Sequence, residues 1–127
     1  MEALATQRWQ ELRDWLVPER PCSLITWHVL VTGIGRCWVD SLSQPRCVIA
    51  FAGGNLTLAG DAEALSPARF AAVIETLLED WKRVFIAAPD AFVPAVCAAR
   101  PWVAAELLSG LGARSPRGIL YYTLRLV

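Results

Sequence analysis

Between Gly35 and Asp61 the chain reads GRCWVDSLSQPRCVIAFAGGNLTLAGD. Three short apolar segments alternate there with turn residues. Cys37-Trp38-Val39 leads into Asp40, the run Arg46 to Phe51 is continuously apolar after its arginine, and Leu56 to Ala59 follows Gly53-Gly54-Asn55. Gly-Gly and Gly-Asn steps between apolar runs are hairpin chemistry, because glycine reaches positive φ without a Cβ clash. The stretch therefore predicts three consecutive strands joined by tight turns. A chain that commits to this pairing has to build the rest of itself around a sheet.

The flanking segments supply cover for that sheet. Leu4, Ala5, Trp9, Leu12, Trp15 and Leu16 recur at helical spacing, so Leu4–Leu16 is predicted as an amphipathic helix that Pro18 and Pro21 bar from continuing. Leu24–Thr32 is predicted as a strand, with Ile25, Trp27, Val29 and Val31 on one face and Leu24, Thr26, His28, Leu30 and Thr32 on the other. Ser66-Pro67 opens the clearest helix: serine caps free N–H groups and proline suits the first helical position. Phe70, Val73, Ile74, Leu77, Leu78 and Trp81 then form one stripe that needs a sheet or helix against it. Arg83–Ala88 reads as a strand ended by Pro89-Asp90, and Phe92–Ala99 as a helix with Pro94 in its first turn. Trp102–Leu108 reads as a second helix stopping at Ser109-Gly110-Leu111-Gly112, and Gly118–Val127 as a last strand. The order implies an α/β fold of the α+β type, a mixed sheet with helices packed on its faces.

Composition narrows the class. The 127 residues suit one domain spanning 1–127. The chain is 55% apolar and 19% charged, yet no apolar run reaches the ~18 residues that span a bilayer. The amino terminus, MEALATQRWQELRDWL, mixes acid, base and apolar residues and is not a signal peptide, so a soluble, cytoplasmic protein away from the membrane is expected. Twelve basic residues balance twelve acidic ones with no basic block, which speaks against nucleic acid as a partner. Zero net charge, high apolar content and six tryptophans point instead to surface buried against a protein, and homodimerisation is the simplest form of that expectation. Its edge is expected at the carboxy-terminal strand, where Leu120, Tyr122, Leu124 and Leu126 alternate with Tyr121, Thr123, Arg125 and Val127. Cys22, Cys37, Cys47 and Cys97 make no closely spaced ligand pair and His28 is the single histidine, so no metal site is expected. The four cysteines read as small buried hydrophobes.

The pattern Gly-Arg-x-Trp-Val-Asp, then Pro-Arg, then Asn-Leu-x-Leu-Ala-Gly-Asp resembles the amino-terminal half of tandem GNAT (N-acetyltransferase-like) proteins of the glycine-N-acyltransferase-like subgroup. The resemblance implies a GNAT-like, mainly antiparallel sheet, and a half-domain that packs against an acyl-CoA-binding half. A catalytic GNAT domain holds the CoA pyrophosphate on backbone N–H groups of an Arg/Gln-x-x-Gly-x-Gly/Ala loop running from a strand into a helix. The corresponding stretch here, Ala59 to Ser66, has one glycine and the carboxylates of Asp61 and Glu63, which repel phosphate. No cofactor is therefore expected, with acetyl-CoA or acyl-CoA as the alternative. The expected partner is a second copy or a GNAT-like partner chain.

The candidate ligand-binding residues are Arg36, Asp40, Arg46 and Asp61. Asp40 and Asp61 each follow an apolar strand and could work as acid and base only if both line one cleft. The alternative is that each accepts turn N–H groups at its strand end. Arg36 and Arg46 bracket the Asp40 turn, where they could hold an anion or form an ion pair with Asp40. His28, sharing a predicted face with Thr26 and Thr32, reads as structural. A catalytic tyrosine role for Tyr121 or Tyr122 has no support without a CoA loop, and no serine or cysteine stands in a nucleophile elbow or triad. No residue is assigned a catalytic or metal-binding role.

Overall fold

The computed structural model describes residues 1–13, 23–81, 83–99, 103–107 and 119–126. The described residues form a seven-stranded mixed sheet with helices on both faces. The strands are β1 (Glu2–Ala3), β2 (Arg36–Val39), β3 (Cys47–Ala52), β4 (Asn55–Gly60), β5 (Arg83–Pro89), β6 (Val103–Leu107) and β7 (Ile119–Leu126). Their order across the sheet is β1-β2-β3-β4-β5-β7-β6. Every pairing is antiparallel except β4 with β5, which is parallel. The helices are α1 (Ser23–Thr32), α2 (Pro67–Leu78) and α3 (Val93–Ala98), with short 3-10 segments at Thr6–Leu12, Ala62–Ala64 and Asp90–Phe92.

The three strands expected between Gly35 and Asp61 form as β2, β3 and β4. The β3–β4 hairpin closes on Gly53 (φ 57°) and Gly54 (φ 82°), with Ala52 opposite Asn55. Two successive positive φ values give the turn a twist that matches the strands. Side chains then alternate between two cores. Trp38, Ile49, Phe51, Leu56 and Leu58 face one way, and Cys37, Val39, Val48, Ala50 and Ala59 the other.

Helix α2 covers the first face as its stripe requires. Ser66 Oγ accepts from Arg69 N at 3.2 Å, and Phe70, Val73, Ile74 and Leu77 are buried. Trp81 lies past the helix, 39% exposed, with its ring edge-on to Phe51 at 5.4 Å. Helix α3 packs beside α2 through Val96.

Three sequence expectations are corrected. Leu24–Thr32 is helix α1, not a strand. Its apolar residues Leu24, Ile25, Trp27, Val29, Leu30 and Val31 fall on both faces of a strand and most of the way round a helix, so neither period stands out, and length and cover decide. The buried positions Thr26, Val29 and Leu30 have helical spacing and lie on β3 and β4. Thr32 Oγ1 donates back to His28 O at 2.8 Å, the bond by which threonine is accommodated in a helix. Trp102–Leu108 was expected as a helix, but Val103–Leu107 is strand β6, because pairing with β7 overrides the helix propensity of Ala-Ala-Glu-Leu. That pairing also makes β7 an inner strand, so the expected free edge at the carboxy-terminal strand is not there. The sheet ends on β6 and the two-residue β1 instead.

The first expected helix, Leu4–Leu16, forms as the shorter 3-10 segment Thr6–Leu12. Three residues per turn stack Trp9 and Leu12 on one side, and both are buried. Leu4 is held outside it, its N–H donating to Cys37 O at 2.9 Å and its carbonyl accepting from Trp9 Nε1 at 2.8 Å. The remainder of that expectation, with Pro18, Pro21, Cys22 and the Gly110-Leu111-Gly112 stop, lies outside the described residues.

Candidate functional site

Three of the four candidate residues come together where β3 and β4 end. Antiparallel pairing sets Cys47 opposite Gly60, so Arg46 and Asp61 meet one step beyond the ladder and their side chains form an ion pair. Asp61 N donates to Arg46 O at 2.8 Å, which carries the pairing past the strand ends. Asp40 closes the preceding turn, with Oδ1 accepting from Arg46 N and Cys47 N, both at 2.8 Å. Arg36 is not part of this group. It pairs with Phe51 at the opposite end of β2, ~13 Å along the strand at the usual rise, and its guanidinium lies over Trp38, 4.9 Å from the ring centroid.

The chemistry of the cluster is that of satisfied partners. Asp61 Oδ1 accepts from Glu63 N at 2.9 Å and its other oxygen takes the Arg46 guanidinium. Both contacts stabilise the charged carboxylate, the backbone N–H first and Arg46 second, so Asp61 titrates below the ordinary carboxylate range. Arg46 is held charged above its usual value, chiefly by Asp61, with Asp40 and Glu63 adding smaller attractions. Asp40 and Asp61 each accept backbone N–H groups at a strand end. The turn-accepting alternative describes both.

A titration follows from this arrangement. A carboxyl whose folded pKa is depressed adds stability that is complete above its unfolded pKa and is lost as pH falls through the folded one. Glu11, paired with Arg8, is lowered in the same sense. Unfolding free energy should therefore decline in acid. In Asp61→Asn the decline should be shallower, leaving the part that belongs to Glu11. Urea titrations of both proteins from neutral pH downward check this, and parallel curves would exclude the ion pair.

The β4–α2 connection is where the sequence resemblance places a phosphate loop. It runs from Gly60 through the 3-10 turn Ala62–Ala64 to the Ser66 cap. Its N–H at Glu63 is taken by Asp61, and the Arg69 N–H by Ser66. Beside this loop the parallel pair opens. β4 and β5 pair at Asn55–Phe85, Leu56–Ile86 and Thr57–Ala87, yet β4 runs on to Gly60 and β5 to Pro89. Thr57, 2% exposed, stands at the point of divergence on the α1 side, and its hydroxyl meets no hydrogen-bond partner among the described residues.

No family model matches this chain, and no curated protein matches it.

Thiol chemistry finds no support at the sheet. Burial pushes the Cys37 and Cys47 thiols up to about 12, so neither is a thiolate near neutral pH. Both are buried and bear out the reading as small hydrophobes, whereas Cys97 is half-buried. No group of metal-ligating side chains occurs among the described residues, and none of their helices is long and apolar enough to cross a membrane.

One concavity was not legible in the sequence. Gln10 of the 3-10 segment and Arg13 at its C-cap face Trp27, Leu30 and Val31 of α1 across a cleft of about 180 Å³. The signal was available as the i, i+3, i+4 spacing of Trp27, Leu30 and Val31. Reading Leu24–Thr32 as a strand placed Trp27 and Leu30 on opposite faces and hid it.

Proposed function

We propose that the chain is a non-catalytic GNAT-like domain that works by association, either with a second copy or with an acyl-CoA-binding partner half. The single observation carrying this reading is Asp61. Its carboxylate already sits on the Glu63 N–H and the Arg46 guanidinium, the kinds of donor a pyrophosphate would need. A loop that supplies its own anion offers an incoming phosphate repulsion in place of hydrogen bonds. Support for the GNAT-like part comes from a mixed, mainly antiparallel sheet with a strand-to-helix loop between its two parallel strands, as the resemblance implies. Association is supported by large apolar side chains left in water: Val31, Ile34, Trp81 and Phe85. Phe85 is the most telling, since an inner strand of a sheet is a costly place to leave a phenyl ring 38% exposed.

A second reading, a divergent small N-acyltransferase or a binder of acyl-CoA or another small ligand, is favoured by the opening between β4 and β5. A crevice at the carboxyl ends of parallel strands is a common ligand position in open sheets, and the Thr57 hydroxyl there lacks a partner.

Calorimetry separates the two. The expected result is no measurable heat with acetyl-CoA and a dimer mass by light scattering at micromolar protein. Stoichiometric micromolar binding, worth about 8 kcal/mol, would replace the first reading by the second. A monomer mass would rule out self-association and leave a separate partner chain.

A further inference from the structure

From the cleft between the 3-10 segment and α1 we infer a binding site for a small monocarboxylate carrying one apolar ring or short aliphatic body. Two ridges build it. Arg13 caps the 3-10 segment, its N–H donating to Gln10 O at 3.2 Å, which keeps it one turn above Gln10. On α1, Trp27, Leu30 and Val31 lie on one face as i, i+3 and i+4. Trp9 and Leu12 face the other way into the core and fix the spacing of the ridges.

The lining divides by chemistry. Trp27 is half-buried and Val31 is 66% exposed, so indole and isopropyl surface is available to an apolar body. Gln10 Nε2 donates to Leu30 O at 3.4 Å, which caps one of the carbonyls left open at the α1 carboxy terminus and holds the amide at the cleft. Arg13 supplies the charge. The ion pairs among the described residues are Arg8–Glu11 and Arg46–Asp61, so Glu11, two positions before Arg13, is engaged by Arg8. A planar guanidinium beside an apolar wall complements a carboxylate on an apolar body.

Volume sets the size. About 180 Å³ is close to the ~150 Å³ known to admit a single benzene ring and well below the ~300 Å³ at which drug-sized sites begin. One ring with its carboxylate fits, and a nucleotide does not. The site shares no lining residue with the Asp40–Arg46–Asp61 cluster, and of the exposed apolar residues that support association it uses Val31 alone.

Benzoate is the probe. In ¹⁵N-labelled protein the Trp27 indole N–H signal, assigned by its loss in Trp27→Phe, should move saturably with a Kd on the order of 1 mM, ordinary for about ten heavy atoms. Benzamide should bind more weakly. Arg13→Gln, a change at an exposed position, should raise the benzoate Kd about fivefold while leaving the rest of the spectrum in place. Val31→Asp, also exposed, should weaken benzoate further by placing a like charge at the rim. A Trp27 signal that does not saturate, or a benzoate Kd unchanged in both variants, would overturn the assignment.

Discussion

Replacing Gly60 by alanine should destabilise the protein by about 3 kcal/mol and lower its melting temperature by roughly 10–15 °C. Gly60 has φ of 95°, and a Cβ placed there would run into the carbonyl oxygen of Arg46 and lie 3.1 Å from Cys47 Cα. Both obstacles are backbone, so no side chain can swing aside. Left-handed backbone alone costs an alanine about 1–2 kcal/mol, and the collision adds to it. The neighbouring strand must then move away from the junction that holds Arg46 against Asp61. Gly53→Ala is the control: its φ is also positive, at 57°, but nothing lies within 4 Å of the added methyl. That variant should lose only about 1 kcal/mol. Equal melting temperatures for the two variants would mean that β3 and β4 do not approach at Gly60 as described.

What the sequence revealed follows from how many physical signals agreed at each place. At Gly53-Gly54 turn chemistry, strand length and apolar runs all point to one hairpin, and β3–β4 forms as expected. At Ser66 the cap, Pro67 and a 3.6-residue stripe coincide, and α2 begins there. At Leu24–Thr32 the only signal was a mainly apolar stretch interrupted by Thr26 and His28, whose period is ambiguous, and the cover supplied by β3 and β4 decides for helix. At Val103–Leu107 local propensity pointed to helix while the decisive partner, β7, lies farther along the chain. The candidate site divides in the same way. Asp40, Arg46 and Asp61 were found because turn-end carboxylates are legible locally, and their meeting follows from hairpin register. Arg36 was grouped with them by closeness in sequence, but one strand length carries it to the other end of the hairpin. The α1 cleft was missed because it exists only once Trp27, Leu30 and Val31 share a helical face.

The largest loss from a single side chain is expected at Phe70. It is 0% exposed in the first turn of α2, its N–H donates to Ser66 O at 3.1 Å, and its ring belongs to the core shared by β3, β4, β5 and α3. Phe70→Ala removes a buried ring and leaves a cavity that a sheet on one side and a helix on the other cannot close, at about 3–5 kcal/mol. Against a total stability of about 5–15 kcal/mol that leaves a marginal or unfolded domain. Phe70→Leu keeps most of the volume and should lose about 1.5 kcal/mol or less. Phe85→Ala supplies the contrast, since a ring 38% exposed gives up much less buried area and should cost about 1 kcal/mol. Urea unfolding checks all three by the midpoint at constant slope. Because α2 carries the far end of the Asp61 loop through Ser66, the Phe70→Ala protein should also lose protection of the Glu63 and Arg69 amides from hydrogen exchange. If those amides stayed protected while the midpoint fell, the loop would be held by the Arg46–Asp61 pair alone and not by the helix that follows it.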